Sequence, residues 1–243
     1  MPTIIQRKKL KEPTNLHEVL ESTRSYYNAI SRDYVTFYNN WTKAEDIFSN
    51  VNYKKGYDKV ANILTNTVTP KENIVDIGCG VGVWSTLLAQ KGAYVTSLDY
   101  VLNPLQKCKE RARAFKVESQ ICTILADGFH LPFQKQTFDG ATVNWVLSHI
   151  PVSKNESFFK EVSRVVKEKG WLFISDSYWR GQQGGKEQVQ VRGTDCGNQD
   201  VYKYYYEPKE LQDLITRVFG TIEHLETTDY ELICVARKDG IVI

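Results

Sequence analysis

The sequence predicts a doubly wound α/β domain built on a mostly parallel sheet, and three patterns lead to that prediction. From residue 73 onward, short apolar runs typical of buried strands alternate with stretches of helical periodicity. A glycine-rich segment directly follows the first of these runs, as is usual where a strand turns sharply into a helix. The runs 221–225 and 230–236 are separated by only a short turn, which predicts an antiparallel hairpin.

The strands and helices can be placed in order along the chain. Five apolar runs are predicted to form the parallel strands: 74–77, 94–98, 121–125, 141–143 and 171–175. The pattern Ser153-x-x-Glu156 is a capping box that predicts the start of a helix, and Gly170 is predicted to close it. These assignments give a parallel sheet covered by helices on both faces.

The segments outside this alternation define the predicted domain organisation. Residues 1–13 carry Arg7, Lys8 and Lys9, and we expect a solvated basic tail. Residues 14–69 precede every predicted strand and are expected to form helices, with a break near Ser31. Residues 177–205, inside the main domain of residues 70–243, hold five glycines and follow neither period. We expect a long insertion over the functional site, with a surface excursion as the alternative.

Composition and charge narrow the class of protein. Charged residues make up 25% of the chain and the net charge is +2, unlike a dedicated nucleic-acid-binding protein. The five cysteines show no CxxC spacing and no Cys/His pattern of a zinc site, so we predict no metal site and reduced thiols. No apolar run approaches the ~18–20 residues of a membrane span. We therefore expect a cytoplasmic protein.

The strongest functional signal is the segment Asp76-Ile77-Gly78-Cys79-Gly80-Val81-Gly82. Glycines allow the tight turn and the close approach of a ligand, and the helix that follows offers its N-terminus to it. A dinucleotide fingerprint would require glycine where Val83 stands, and no Gly-Lys-Ser/Thr of a P-loop follows. The loop alone therefore predicts a nucleotide-like ligand of a different kind.

Two further acids follow predicted strands. Asp99 ends the second strand, where a carboxylate can accept hydrogen bonds from both hydroxyls of a ribose. Asp127, within Ala126-Asp127-Gly128, follows the third strand and could accept a hydrogen bond from the amine of an adenine. An acid that ends a buried strand is costly unless something pairs with it, so both are strong candidates.

In this order, and with Leu131-Pro132-Phe133 and Phe138-Asp139 after them, the motifs resemble class I S-adenosylmethionine-dependent methyltransferases. The resemblance covers about residues 70–176 and is greatest to the small-molecule branch that includes the ubiquinone/menaquinone C-methyltransferases. It implies a Rossmann-like sheet of seven strands in the order 3-2-1-4-5-7-6, with strand 7 antiparallel. It also implies S-adenosylmethionine as the cofactor and an N-terminal helical lid.

The resemblance also implies a set of site residues. The predicted cofactor-binding residues are Asp76, Gly78, Cys79, Gly80, Gly82, Asp99, Tyr100, Asp127, Gly128, Asn144 and Trp145, with Tyr27 and Tyr34 from the N-terminal helices. For Asp76 the alternative is that it organises the loop without touching the ligand, and for Trp145 that it belongs to the core. The tyrosines are expected to cover the sulfonium and to donate a hydrogen bond to the carboxylate of the cofactor.

His149, just after the fourth strand, is the candidate general base. Methyl transfer needs a base only if the acceptor loses a proton, so a structural role for this histidine is the alternative. We expect a small-molecule acceptor, methylated on O, N or C, as the partner of the protein, and we expect no nucleic acid. The alternatives are methylation of a protein or an RNA, and a catalytically inactive protein that binds the cofactor.

Overall fold

The computed structural model describes residues 4–9, 16–39, 51–194 and 197–240; within these, the side chains of residues 4–9, 16, 19–20, 31–39 and 51–54 are not described. The strands are β1 (Ile4–Lys9), β2 (Asn73–Ile77), β3 (Tyr94–Asp99), β4 (Ile121–Leu125), β5 (Phe138–Asn144), β6 (Val166–Ser177), β7 (Glu187–Thr194), β8 (Gly197–Tyr204), β9 (Gly220–Thr227) and β10 (Glu231–Lys238). The helices are α1 (Leu16–Asn39), α2 (Val51–Thr67), α3 (Val83–Gln90), α4 (Leu102–Ala114), α5 (Asn155–Val165) and α6 (Pro208–Val218). None of these helices combines the length and apolar character needed to cross a membrane.

The main sheet has seven strands in the order β4-β3-β2-β5-β6-β10-β9. Strands β2 to β6 pair in parallel, whereas β10 is antiparallel to both of its neighbours, β6 and β9. Counted within this sheet alone, the order is 3-2-1-4-5-7-6 with an antiparallel seventh strand. The predicted topology is therefore confirmed, including the terminal hairpin.

Both faces of the main sheet are covered, as a continuous apolar strand requires. Val75 packs on one face with Phe159 of α5 and Ile215 of α6. Its neighbour Ile74 packs on the other face with residues of α2 and α3. Because successive strand residues point to opposite faces, the single run 74–77 contributes to two cores.

A second sheet of three antiparallel strands, β1-β7-β8, corrects two expectations from the sequence. Residues 4–9 are a strand paired with β7 and not a free tail, and most of residues 187–204 form the hairpin β7–β8 instead of a loop. The apolar alternation typical of strands is inverted in β7, since Gln188 and Gln190 are fully buried whereas Val189 between them is not. The side-chain amide of Gln190 donates to the Tyr205 hydroxyl at 2.9 Å, so this buried polar group has a hydrogen-bond partner. A prediction from apolar periodicity would place the same side chain towards solvent.

Three predicted helix boundaries also differ from the structure. Helix α1 runs without a break through Ser31. Helix α5 begins at Asn155, one residue after an N-cap at Lys154 that makes no side-chain capping bond, so the predicted capping box does not form. This helix ends at Val165, and Gly170 lies inside β6. The chain passes directly from helix to strand because Val166 is fully buried and continues the core of the sheet.

Candidate functional site

A cavity of about 500 Å³ lies at the carboxyl ends of β2, β3, β4 and β5, beneath α1. Its position agrees with the general rule that open α/β sheets bind ligands beyond the carboxyl ends of their strands, and its volume is in the usual range for ligand pockets. The predicted site residues that line it are Tyr27, Gly78, Cys79, Gly80, Asp99, Tyr100, Asp127, Gly128, Asn144, Trp145 and His149. Asp76 and Gly82 do not line it, and the side chain of Tyr34 lies outside the described residues.

The glycine loop is built tightly against its surroundings except at one position. At Gly78, which has a φ of +71°, an added Cβ would stand 2.2 Å from a methyl carbon of Val146. A Cβ at Gly82 would stand 2.5 Å from Sγ of Cys108, so this glycine serves the packing of α3 against α4. Of the three loop glycines, Gly80 alone would meet no atom within 4 Å, and it faces the cavity. The loop therefore leaves its free space on the ligand side.

Asp99 holds this loop and still has capacity for a ligand. Its Oδ2 accepts from the amide of Gly80 at 2.8 Å, and its Oδ1 accepts from the amide of Val101 at 2.9 Å. The amide of Tyr100 is a third backbone donor to this carboxylate, which has about four acceptor positions, so capacity for a ligand donor remains. Burial raises the pKa of Asp99 to about 6, because the free carboxylate is poorly solvated. A ligand hydroxyl would supply the missing donor.

Asp76 stands behind the loop, where it accepts from the hydroxyls of Ser85 at 2.5 Å and Thr142 at 3.1 Å. Burial raises the pKa of this carboxyl to about 6. Asn144 donates to the Thr142 hydroxyl and accepts from that of Ser175, so its amide is fixed at the cavity wall. The position of Asp76 supports the interpretation that it organises the site from behind.

Asp127 lies at the mouth of the cavity, with more than half of its side chain exposed. Its Oδ1 accepts from the amide of Phe129 at 2.9 Å, and its Oδ2 lies 3.2 Å from Nδ1 of His130. The rings of Phe129 and Phe158, 5.6 Å apart, line the cavity beside it. A flat heterocycle would find an acceptor and two aromatic faces here.

Trp145 adopts an uncommon backbone conformation, with a φ of +55°. Its ring lines the cavity but also packs with Tyr57, at 4.3 Å, and Trp84, so the residue serves the site and the core together. Its Nε1 donates to Oε2 of Glu231 at 2.8 Å. Burial raises the pKa of Glu231 to about 7. Residues that are strained and well supported in this way cluster at functional sites.

His149 is buried in a short 3-10 turn (Leu147–His149) and is held on both ring nitrogens. Its Nδ1 lies 2.8 Å from the carbonyl oxygen of Tyr202, and its Nε2 lies 2.8 Å from the hydroxyl of Tyr27. Burial, with the nearby charges of Lys203 and Arg192, holds the pKa of His149 well below its ordinary value. The ring is therefore neutral at neutral pH.

Several cavity residues were not predicted from the sequence. Four come from α1, namely His17, Glu21, Thr23 and Arg24. Glu231 of β10 was also not predicted, and it supports the wall of the cavity. Because β10 runs antiparallel to β6, Glu231 at the start of β10 lies beside the carboxyl end of β6. The helix gives no chemical motif, so only the regular spacing of Thr23 and Tyr27 one turn apart could have suggested a shared face.

Comparison with known proteins gives a consistent result. A family model described as a methyltransferase domain matches residues 75–174. A methyltransferase from Streptomyces halstedii is 32% identical over 115 residues, which cover 47% of this chain and 41% of that protein. A demethylmenaquinone methyltransferase from Desulfitobacterium hafniense is 35% identical over 125 residues, covering 50% of this chain and 48% of that protein. The chain thus spans somewhat less than half the length of these curated relatives.

Among solved structures, 1,6-didemethyltoxoflavin-N1-methyltransferase from Burkholderia thailandensis has the same fold over nearly its whole length. The TM-score is 0.72, the identity is 18%, and the match covers 98% of this chain and 99% of that one. That enzyme was crystallised with 1,6-didemethyltoxoflavin and S-adenosylhomocysteine bound. At this level of identity the likeness shows a common fold.

Proposed function

The chain belongs to the class I S-adenosylmethionine-dependent methyltransferases, and on this premise we propose that it transfers a methyl group from S-adenosylmethionine to a small-molecule acceptor. The observation that carries the proposal is the joint arrangement of Gly80 and Asp99. Gly80 leaves open space on the ligand side of the loop, and the Asp99 carboxylate beside it can accept a further hydrogen bond.

The residues around the cavity fit the cofactor. Asp99 would accept from the ribose hydroxyls, and Asp127 with the rings of Phe129 and Phe158 would hold the adenine. The loop from Gly78 to Gly80 and the fixed amide of Asn144 would border the methionine part. When bound, S-adenosylmethionine supplies an electrophilic methyl carbon on a sulfonium. The protein's contribution is to align the acceptor with that carbon and to keep water out.

A small acceptor is supported by the helix that covers part of the site. Helix α1 passes over the cavity and is itself held from above by β8, where Tyr26, Ile30 and Val201 form a separate apolar cluster. We propose that α1 and the hairpin β7–β8, which belong to the predicted helical segment and the predicted insertion, form the lid over the site, with β1 added at the edge of the hairpin. A protein chain or a folded RNA would have to displace this cover, and the near-neutral charge offers little attraction for phosphates.

Titration calorimetry with S-adenosylhomocysteine tests the proposal. The wild-type protein is expected to bind it, and Asp99→Asn to weaken binding by about 10- to 100-fold, as for the loss of hydrogen bonds of about 1.5–3 kcal/mol to a charged group. Asp213→Asn is the matched control, because Asp213 is an exposed acid on α6 paired with Lys209. Equal affinities of the two variants, or no binding by the wild type, would show that the assignment is wrong.

A further inference from the structure

The order of the strands arranges the cofactor contacts along the carboxyl edge of the main sheet. Strands β4, β3, β2 and β5 are successive neighbours, and at or just after their ends lie Asp127, Asp99, Gly80 and Trp145 in that order. With the adenine at Asp127 and the ribose at Asp99, as proposed above, the rest of the ligand would extend past Gly80 towards Trp145. The sulfonium of the cofactor would therefore lie on the Trp145 side of the ribose.

Two indole rings border this end of the cavity. Trp84 and Trp145 both line it, and their ring centroids lie 6.1 Å apart with the ring planes at 71°. An aromatic face attracts a cation, and the indole of tryptophan does so most strongly. A neutral sulfur atom at the same place gains no such attraction. The two rings alone therefore give this end of the cavity some preference for a positive charge.

A buried carboxyl group stands directly behind Trp145. Oε2 of Glu231 accepts from Nε1 of Trp145 at 2.8 Å, and Glu231 is only 4% exposed. The backbone of Glu231 is fixed, because its amide donates to the Thr228 hydroxyl at 3.0 Å and the residue pairs with Ser177 of β6. Glu231 does not line the cavity, whereas Trp145 does. Any effect of this carboxyl group on a ligand is therefore exerted across the indole.

The charged groups around Glu231 leave its negative charge largely uncompensated. Asp176 and Lys203 are both buried and are paired with each other at 3.4 Å. Arg180, the other cation near Glu231, is exposed and donates to the carbonyl oxygen of Asp229. Solvent and salt screen an exposed charge much more than a buried one. The two cations near Glu231 are thus either paired or screened.

From this geometry we propose that Glu231 is a positioning residue which, acting through Trp145, raises the affinity of the site for the cationic sulfonium of S-adenosylmethionine relative to the neutral thioether of S-adenosylhomocysteine. The inference rests on the proposed function and deepens it. The carboxylate holds the indole at the cavity wall and makes its face more negative, and its field acts through a medium of low dielectric constant. Methyl transfer leaves the carbon–sulfur bonding pair on sulfur, so the charge that this wall attracts is present before the transfer and absent after it.

Paired calorimetric titrations with S-adenosylmethionine and S-adenosylhomocysteine test the proposal without knowledge of the acceptor. They are made at pH 8, because burial raises the pKa of Glu231 to about 7. Glu231→Gln removes the charge and keeps both the shape and an acceptor oxygen for the indole. It should weaken the binding of S-adenosylmethionine about 5- to 20-fold relative to that of S-adenosylhomocysteine, as for a unit charge at roughly 10 Å and an effective dielectric constant of about 20.

The chain offers a matched control for this substitution. Glu72 also accepts from an indole, that of Trp171 at 3.2 Å, but neither residue lines the cavity. Glu72→Gln should leave the ratio of the two affinities unchanged. If Glu231→Gln leaves that ratio unchanged as well, including the case in which both ligands bind equally more weakly, Glu231 only supports the fold and the proposal is wrong.

A second variant, Trp145→Phe, tests whether the effect passes through the indole. Phenylalanine has no N–H, so Glu231 loses a donor that stabilises its charged form and is expected to become neutral. The ratio of the two affinities should shift in the same direction as in Glu231→Gln, and the double variant should shift it no further. Additive shifts in the double variant would mean that the two residues act independently, which contradicts the proposal.

The contact itself has a spectroscopic signature. The protein contains five tryptophans, so the indole region of a ¹⁵N-correlated NMR spectrum gives few signals, and the signal of Trp145 is the one absent from Trp145→Phe. A hydrogen bond to a carboxylate is stronger than one to an amide. The Trp145 indole proton should therefore move upfield in Glu231→Gln, and a proton that does not move would overturn the proposal.

The two proposals fail in different ways. If the wild-type protein binds neither S-adenosylmethionine nor S-adenosylhomocysteine, the proposed function is wrong, and the role of Glu231 falls with it. If it binds both ligands but Glu231→Gln leaves the ratio of their affinities unchanged, the methyltransferase assignment stands and the assignment of Glu231 is wrong.

Discussion

The polar side chains of the site are held in place by hydrogen bonds from fixed groups of the fold. Backbone amides hold Asp99, two hydroxyls hold Asn144, and a carbonyl holds His149. Such support keeps each group in the geometry that binding requires without relying on the ligand. Thr23 differs: the residue lines the cavity, but its hydroxyl oxygen is buried and makes no hydrogen bond among the described residues.

Thr23→Val is therefore expected to stabilise the free protein by about 1 kcal/mol, because it removes a buried polar group that lacks a partner and preserves the shape of the side chain. For a chain of this size the melting temperature should rise by about 2–4 °C. Thermal unfolding followed by circular dichroism measures the change. A lower melting temperature would show that the hydroxyl is satisfied in the free protein, and a gain that shrinks with S-adenosylhomocysteine present would identify it as a ligand contact.

Among the individual residues of the site, those that belong to a short sequence motif could be predicted from the sequence. Gly80, Asp99 and Asp127 lie at or shortly after the ends of strands, so the strand pattern fixes their place at the edge of the sheet. Thr23 and Glu231 could not be found in this way, because each reaches the site through the packing of its whole element. For Tyr27 the sequence predicts the place but not the contact of its hydroxyl with His149, whose ring is also held by the distant carbonyl of Tyr202.

The elements above the site form a layered cover in which α1 lies on the cavity and β8 lies on α1. The small sheet is joined to the main domain through buried polar contacts, chiefly Lys203 with Asp176 and the Tyr202 carbonyl with His149. Sequence periodicity missed this sheet because its inward positions in β7 are glutamines and because β1 is a charged segment. Backbone hydrogen bonds between its strands hold the small sheet together, and these bonds do not require a regular pattern of apolar residues in the sequence.

Removal of residues 1–9 tests how the cover is built. Without β1, the edge of β7 loses its antiparallel partner, so the amides of residues 188–192 should exchange with deuterium roughly 10-fold faster or more. The affinity for S-adenosylhomocysteine should stay within about twofold, because the described cavity is lined by α1 and the main sheet. Exchange in β2 and β5 is the internal control. Unchanged protection of β7 would show that β1 contributes nothing to the sheet.

At the scale of the whole molecule, three buried carboxyl groups among the described residues carry raised pKa values: Asp76 and Asp99 at about 6 and Glu231 at about 7. In each case burial is the main cause, since it disfavours the charged form. A carboxyl whose pKa is higher in the folded state binds protons that the unfolded chain has already released. Its contribution to stability is therefore greatest below about pH 4 and is lost as the pH rises towards 7.

The Asp76 contribution can be isolated by substitution. Between pH 5 and pH 7 this carboxyl should lower the free energy of unfolding by about 1 kcal/mol, and Asp76→Asn should show a correspondingly flatter dependence on pH. The lowered pKa of His149 acts in the opposite direction below about pH 6.5, so the difference between the two proteins is the informative quantity. Urea unfolding at several pH values measures it. Parallel curves for the two proteins would mean that Asp76 titrates normally.

The place of β10 in the sheet has a consequence for how the protein can be divided. This strand is far along the chain from the glycine loop, yet it lies inside the sheet between β6 and β9 and brings Glu231 to Trp145. A fragment that ends before residue 231 would retain every motif residue of the site and would expose the open edge of β6, a template for aggregation. We therefore expect that a piece of the chain which keeps the motifs but lacks β10 does not fold into a stable binding domain.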